Sequence, residues 1–120
     1  MSTDKDLTVR ANAKQYIDDL YNQLIVRKDQ SSELRDITDV LLQSYKKMDD
    51  VKNPEALVNR LVNYIRSQAL KAKIHFPSDQ ENLVIELETI GQKAGLNGAY
   101  MADYSDKSQF YSLLEKIPKR

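Results

Sequence analysis

Residues 66–81, RSQALKAKIHFPSDQE, decide the fold, because this stretch ends one helix and begins the next within a few residues. Pro77 lacks a backbone N–H and disfavours a helical conformation in the residue before it, so the first helix is expected to stop near His75. Ser78 and Glu81 have the spacing of a capping box, in which each side chain accepts a hydrogen bond from the other residue's backbone N–H. The stretch therefore predicts a tight corner between two helices.

The composition favours one all-α domain. The chain has 120 residues, 41% hydrophobic and 30% charged, a size that suits a single domain with one core. Its three glycines and three prolines are too few for the many turns of a β-sandwich. Leu, Ala, Lys, Glu and Gln are abundant and favour helices. We therefore expect residues 1–120 to form a single all-α domain.

Four segments repeat hydrophobic residues at steps of three and four, as one face of an α-helix does. Asn53 followed by Pro54 is a helix-start signal, and Gly95 followed by Leu96 resembles a Schellman cap that ends the last helix. Short connections favour side-by-side packing of consecutive helices. The sequence thus predicts an antiparallel four-helix bundle, with helices at about 6–28, 32–49, 54–75 and 79–94.

The same spacing predicts which face of each helix is buried. The expected core residues are Val9, Ala13, Ile17, Leu20 and Leu24 in the first helix, Leu34, Ile37, Leu41, Tyr45 and Met48 in the second, Leu57 or Val58, Leu61, Ile65, Ala69 and Ala72 in the third, and Leu83, Leu87, Ile90 and Ala94 in the fourth.

Residues 96–120 form a C-terminal tail without a sustained helical period. Ser105 and Asp106 are suited to cap a short helical segment that ends at Pro118. The tail is rich in aromatic side chains with polar tips, which are favoured at interfaces: Tyr100, Tyr104, Phe110 and Tyr111. Covering the open end of the bundle and forming a recognition surface both remain possible roles for them.

The net charge is zero, but its distribution is uneven. Residues 52–75 contain five basic residues and one acid, whereas residues 76–92 contain four acids, Asp79, Glu81, Glu86 and Glu88, and no lysine or arginine. Antiparallel neighbours that interleave these charges explain the pattern better than a basic stripe for anionic lipid or nucleic acid. We expect no nucleic-acid partner.

The sequence also indicates where the protein acts. The first residues contain acids and lead into no apolar segment of the kind that a secretion signal requires. No run approaches the roughly 18 apolar residues of a membrane span. We therefore expect a cytoplasmic protein with at most a transient, peripheral membrane association.

Residues with catalytic or metal-binding potential are scarce. The chain has no cysteine, which excludes disulfides, thiolate metal sites and a cysteine nucleophile. His75 is the only histidine, so a histidine metal cluster is impossible. Its place at a helix end favours a structural role, in which the protonated ring interacts with the helix dipole. We expect neither an enzyme nor a bound cofactor.

The corner is also where the chain resembles a known family. Residues 66–76 (RSQALKAKIHF), the corner 77–81 and residues 91–98 (GQKAGLNG) are similar to the immunity proteins of pediocin-like (class IIa) bacteriocins, the enterocin A immunity family of lactic acid bacteria and streptococci. The resemblance implies a cytoplasmic four-helix bundle that protects the cell against a pore-forming peptide without cleaving it. The implied partner is the mannose phosphotransferase membrane receptor, approached from inside once the bacteriocin has engaged it.

The resemblance also implies where recognition occurs, since the C-terminal half of the family governs which bacteriocin is recognised. The corresponding positions are Lys71, Lys73, His75, Tyr100, Met101, Tyr104, Phe110 and Tyr111. A different class of function remains open, namely a helical adaptor or regulator that binds a soluble protein and uses its tail as an intramolecular cover. The sequence leaves the oligomeric state and the identity of the bacteriocin open.

Overall fold

A computed structural model describes residues 4–94, 106–112 and 115–118. These residues form four α-helices and two short 3₁₀ helices, and they contain no strand. The α-helices are α1 (Asp4–Leu24), α2 (Ser32–Lys47), α3 (Pro54–Ala72) and α4 (Ser78–Gly91), and the 3₁₀ helices are Gln92–Ala94 and Lys107–Phe110. The predicted all-α four-helix bundle is confirmed.

The helices pack in the order in which they follow along the chain. Each contacts the next, and α4 closes the arrangement by packing against α1, whereas α1 and α3 lie diagonally and touch little. Because consecutive helices run in opposite directions, the connections 25–31 and 73–77 lie at the same end of the bundle. We call this the two-loop end, and it includes the last turns of α1 and α3.

The core is mostly aliphatic, and three buried aromatic residues, Tyr64, Phe76 and Phe110, belong to it. Each helix contributes buried apolar side chains to it: Ala13, Ile17, Leu20 and Leu24 of α1, Leu34, Ile37, Val40 and Leu41 of α2, Leu57, Val58, Leu61, Val62, Tyr64 and Ile65 of α3, and Val84, Leu87 and Ile90 of α4. Burial of this apolar surface is the main stabilising contribution to the bundle. Phe110 is also buried, which brings the C-terminal tail into the core.

Local sequence chemistry sets the starts of α2 and α3. The Ser31 hydroxyl accepts a hydrogen bond from the Leu34 N–H at 3.0 Å, and the Asn53 side chain accepts one from the Ala56 N–H at 3.0 Å. Pro54 follows Asn53 at the first helical position, where its missing N–H costs nothing. The predicted helix start at Asn53 and Pro54 is confirmed.

The predicted capping box at Ser78 and Glu81 is wrong. Ser78 is already helical, Pro77 takes the cap position, and no side chain caps α4. The Glu81 N–H still bonds to the Pro77 carbonyl at 2.8 Å, but the Glu81 carboxylate is taken by Arg66 of α3. A bidentate pair between a guanidinium and a carboxylate is stronger than the single hydrogen bond that the carboxylate would accept from a neutral backbone N–H in the capping box.

Helices α1, α2 and α3 end earlier than the hydrophobic period predicts, and α2 stops at Lys47 instead of residue 49. Helix α1 stops at Leu24 instead of residue 28, and α3 stops at Ala72 instead of residue 75. Helix α4 ends at Gly91, and the 3₁₀ turn Gln92–Ala94 carries the chain to the predicted end at 94. The predicted cap at Gly95 and Leu96 lies outside the described residues.

The predicted buried faces hold except at their edges. Tyr45 of α2 is 37% exposed, and the Lys14 ammonium lies 5.2 Å from the centre of its ring. Leu83 of α4 is only half-buried, while the neighbouring Val84 is fully buried. A buried stripe in a square bundle faces two neighbours, so residues one position to the side of the predicted stripe can turn inward.

Gly91 lies at a close approach of α3 and α4. A Cβ atom at this position would lie 2.8 Å from Cα and 3.0 Å from N of Asn59. Because both atoms belong to the backbone, a side-chain rotation cannot relieve the contact. Glycine therefore allows the end of α4 to pack tightly against the early turns of α3.

Candidate functional site

The corner between α3 and α4 encloses an open groove of about 550 Å³, which we call the corner groove. All of its lining residues come from the stretch 66–81 that decides the fold. They are Arg66, Ala69, Leu70, Lys73, Ile74, His75, Phe76 and Glu81. Phe76 and Ala69 are buried and form its floor, while Leu70 is 82% exposed.

Lys73 ends α3 in a left-handed conformation, with φ 56° and ψ 41°. Among the described residues it is the only non-glycine residue with positive φ. The Lys73 N–H bonds to the Leu70 carbonyl at 3.4 Å, and the Ile74 N–H bonds to the Ala69 carbonyl at 2.8 Å, which together make a Schellman motif. Glycine usually takes this position, because a Cβ atom is disfavoured there. Strain of this kind is retained at sites where a particular side chain is needed.

Arg66 fixes the two walls of the groove to each other. Its Nη1 and Nη2 donate to Glu81 Oε1 and Oε2, both at 2.8 Å, and its Nη2 donates to Glu88 Oε2 at 3.0 Å. The hydrogen bonds from Arg66 hold the pKa of the Glu81 carboxyl below its ordinary value. The predicted interleaving of basic α3 with acidic α4 is confirmed at this cluster.

Arg27 ties the connection after α1 to the corner. Its Nη1 donates to the His75 carbonyl oxygen and to Gln80 Oε1, both at 2.8 Å. Its Nε and Nη2 bind the two carboxylate oxygens of Asp29, and these hydrogen bonds lower the pKa of the Asp29 carboxyl. The two connections of the two-loop end are therefore one connected surface.

The corner brings together the first group of predicted recognition residues. Lys73 and His75 line the corner groove, and Lys71 lies beside it in the last turn of α3. All three side chains are exposed. The stabilising contact of His75 runs through its backbone carbonyl, so its imidazole stays at the surface.

Phe110 occupies a different environment. It is 1% exposed, and its ring meets the equally buried Tyr64 edge to face, with centroids 5.4 Å apart and an interplanar angle of 73°. Burial raises the pKa of the Tyr64 hydroxyl. Tyr111 is half-buried against the same core, and neither tail residue lines the corner groove. In this conformation Phe110 acts as a cover of the bundle.

Ion pairs hold the described part of the tail, residues 106–112 and 115–118, which we call the C-terminal segment. The Lys107 ammonium donates to Asp36 Oδ1 at 2.8 Å, Asp39 Oδ2 at 3.0 Å and the Pro118 carbonyl at 2.6 Å. The Lys107 side chain is only 12% exposed. This contact fastens the segment to the first half of α2.

A second ion pair fastens the C-terminal segment further along α2. Glu115 Oε1 lies 2.9 Å from the Lys47 ammonium and accepts from the Ser112 N–H at 2.6 Å, and Glu115 Oε2 accepts from Gln43 at 2.6 Å. These donors, Lys47 foremost, lower the pKa of Glu115 to about 2. The predicted cap residue Asp106 accepts from the Ser108 N–H at 2.9 Å. The other predicted tail residues, Tyr100, Met101 and Tyr104, lie outside the described residues.

Comparison with known proteins identifies the family. The family model described as the bacteriocin immunity protein family matches residues 11–92, which include all of the corner. The chain belongs to the bacteriocin immunity protein family. Membership confirms the predicted resemblance to the pediocin-like (class IIa) immunity proteins.

Two relatives within this family match most of the chain. The chain is 59% identical over 105 residues to a probable leucocin-A immunity protein from Leuconostoc gelidum, and 53% identical over 105 residues to a probable mesentericin-Y105 immunity protein from Leuconostoc mesenteroides. Each alignment covers 88% of this chain and 92% of the relative. The relatives come from Leuconostoc and not from the streptococci named above. No solved structure gives a significant match.

The described part of this immunity-family protein presents an open groove at the corner. Within the described ranges, no group of His, Cys, Asp and Glu side chains is placed to hold a metal ion. None of the helices described is long and apolar enough to cross a membrane. What the corner offers is a fixed groove with an exposed leucine and two exposed cationic side chains, which suits contact with another molecule.

Sequence reasoning missed Leu70 and Arg27 and assigned Glu81 to a capping box instead of to Arg66. Leu70 does not belong to the buried stripe of α3, so the prediction of core residues does not include it. Arg27 and Glu81 act through partners that are far away in the sequence, His75 and Gln80 for Arg27 and Arg66 for Glu81. The only available signal was the excess of bases in 52–75 and of acids in 76–92.

Proposed function

We propose that this chain protects the cell that makes it against a pore-forming class IIa bacteriocin. The observation that carries the proposal is its similarity, along nearly the whole length of each relative, to two immunity proteins named for leucocin A and mesentericin Y105. In this proposal the protein works in the cytoplasm and binds without catalysis. Its partner is the mannose phosphotransferase membrane receptor with the bacteriocin bound.

The corner groove is the proposed contact with that receptor. Lys71, Lys73 and His75 present polar and cationic groups, and Leu70 adds apolar area that no other part of the bundle covers. The Schellman motif, Arg27 and Arg66 fix this surface before binding, which lowers the entropic cost of association. A rigid groove of this kind holds a receptor in one state without altering it covalently.

The test is expression of the chain in a bacteriocin-sensitive strain that carries the mannose receptor. The strain is challenged with leucocin A, mesentericin Y105, other pediocin-like peptides and a pore-forming peptide of a different class. We expect survival against one or a few pediocin-like peptides and none against the different class. Uniform sensitivity, with the protein shown to be folded and abundant, would contradict the proposal.

A matched pair of variants tests the contact. Lys71→Gln combined with Lys73→Gln removes two exposed charges at the corner, and Lys46→Gln combined with Lys52→Gln removes two exposed charges at the other end of the bundle. The first pair is expected to lower protection and to weaken capture of the bacteriocin-bound receptor, while the second leaves both unchanged. Equal effects of the two pairs would assign the loss to overall charge instead of the corner.

The adaptor alternative makes a different prediction. If the protein binds a soluble partner, it is recovered with that partner from cells that lack the receptor, and the bacteriocin has no influence on the complex. Receptor capture that depends on the bacteriocin supports immunity at the receptor.

A further inference from the structure

The two most exposed large hydrophobic side chains of the described residues lie at the two-loop end. Leu70, in the last turn of α3, is 82% exposed, and Val26, just after α1, is 75% exposed. Ile25, beside Val26, is 45% exposed. Single exposed aliphatic residues are common on protein surfaces. Here, however, two that are at least three-quarters exposed lie at the same end, Val26 in one connection and Leu70 in the helical turn before the other.

Lysines flank these aliphatic residues on both connections. Lys28 follows Val26, and Lys71 and Lys73 follow Leu70. The three lysines are exposed and have no ion-pair partner within the described part of the chain. Apolar side chains between unpaired cations are typical of surfaces that lie against anionic lipid.

The acids at this end leave the cations in excess. Asp29 is bound by Arg27 and Glu81 by Arg66. Glu33, in the first turn of α2, accepts a hydrogen bond from the Ser32 hydroxyl at 3.1 Å, but this neutral donor leaves its charge in place. Glu33 and Asp79 are therefore the two acids of this end without an ion pair among the described residues, against three such lysines. The zero net charge of the whole chain therefore hides a local positive surface.

Arg27 makes the two connections act together. Its guanidinium joins the connection after α1 to the His75 carbonyl of the corner, so Val26 and Leu70 belong to one rigid end. Two anchors on a fixed frame bind a flat surface with less loss of entropy than two anchors on independent loops.

We propose that the two-loop end docks on the surface of an anionic bilayer. Val26 and Leu70 enter the interfacial layer, and Lys28, Lys71 and Lys73 contact lipid phosphates. Binding is reversible and salt-sensitive, because few residues take part and exposed charges are screened by ions. The proposal goes beyond the immunity function and does not depend on it, since its test uses lipid without any receptor.

A single introduced tryptophan tests the proposal directly, because the chain contains none. Val26→Trp places the probe at the two-loop end, and Leu7→Trp places it at a 55% exposed position at the other end of α1. Each full-length variant is mixed with vesicles of phosphatidylcholine alone or of phosphatidylcholine with phosphatidylglycerol. We expect a blue shift of emission only for Val26→Trp, only with phosphatidylglycerol, and with reversal by salt.

Vesicle co-sedimentation provides the affinity. Lys71→Gln combined with Lys73→Gln should weaken binding by about five-fold for each lysine, whereas Lys46→Gln at the other end should have no such effect. Leu70→Ser should weaken binding, and Leu7→Ser should not. Circular dichroism and unfolding midpoints confirm that each variant is folded.

Several results would overturn the proposal. These are absence of binding to phosphatidylglycerol vesicles, equal blue shifts for both tryptophan variants, or equal losses for the corner and control variants. Binding to receptor-containing membranes but not to protein-free vesicles would also overturn it, and would assign the two-loop end to a protein contact. Because vesicles contain no receptor, failure here leaves the immunity proposal standing.

Discussion

Replacing Phe110 with alanine tests whether the C-terminal segment is part of the folded bundle. Phe110 is 1% exposed, and burying a phenylalanine side chain stabilises by about 1.5–3 kcal/mol. Its edge-to-face contact with Tyr64 adds about 0.5–1.5 kcal/mol. If the segment detaches while the four helices stay folded, the loss cannot exceed the free energy with which the segment docks. We therefore expect Phe110→Ala to lower the free energy of unfolding by about 2–4 kcal/mol.

Urea unfolding followed by circular dichroism measures this loss. Phe110→Leu keeps an apolar side chain at the site and should cost less than Phe110→Ala, and a double-mutant cycle with Tyr64→Leu isolates the aromatic contact. A loss below about 1 kcal/mol for Phe110→Ala, far under the burial estimate, would refute the reasoning and mean that the segment is not docked in solution.

The same variants show whether Phe110 only covers the core or also takes part in recognition. If Phe110 only covers the core, Phe110→Leu retains protection against the bacteriocin. If a variant as stable as the parent protein loses protection, Phe110 takes part in recognition after leaving the core. The assay is the growth challenge described above, run beside the unfolding measurement.

Three further changes have defined outcomes. Gly91→Ala should destabilise the protein by about 1–3 kcal/mol, because the new methyl group meets the Asn59 backbone at 2.8 Å; a gain in urea stability, which helix propensity alone predicts, would contradict this close approach. The pKa of Glu115 is lowered from 4.5 to about 2, so its stabilising contribution is complete above pH 4.5 and is lost as the pH falls through 2. The difference in unfolding free energy between the parent protein and Glu115→Gln should therefore shrink over that pH range. A constant difference would argue against the Lys47 contact. Lys73→Gly should raise the unfolding free energy by about 1 kcal/mol by relieving the left-handed backbone, yet lower protection; unchanged protection would show that the Lys73 side chain is dispensable.

The fold was predictable wherever a signal and its effect lie within one helical turn. Ser31 and Asn53 cap helices because their partners are three residues away, and the period of three and four residues identifies most of the core. Short connections between amphipathic helices then leave few arrangements besides an antiparallel bundle. These elements depend little on distant residues.

The capping box failed where a distant residue competed. Ser78 and Glu81 have the right spacing, but Arg66 is brought close by the packing of α3 on α4 and binds the carboxylate first. The left-handed conformation of Lys73 could not be predicted from the sequence either, since glycine is the usual signal for that conformation. The burial of Phe110 depends on Lys107 finding two aspartates of α2, which no local pattern encodes.

The contacts that hold the corner have a consequence for how such proteins diversify. The Schellman motif uses backbone atoms of Ala69, Leu70, Lys73 and Ile74, and Arg27 binds the carbonyl of His75 and not its ring. Substitutions at 71 and 75, and at 73 by a residue that accepts the left-handed conformation, therefore leave these backbone contacts in place. Under the proposed function, exchanging these three side chains changes the target while the same scaffold is kept.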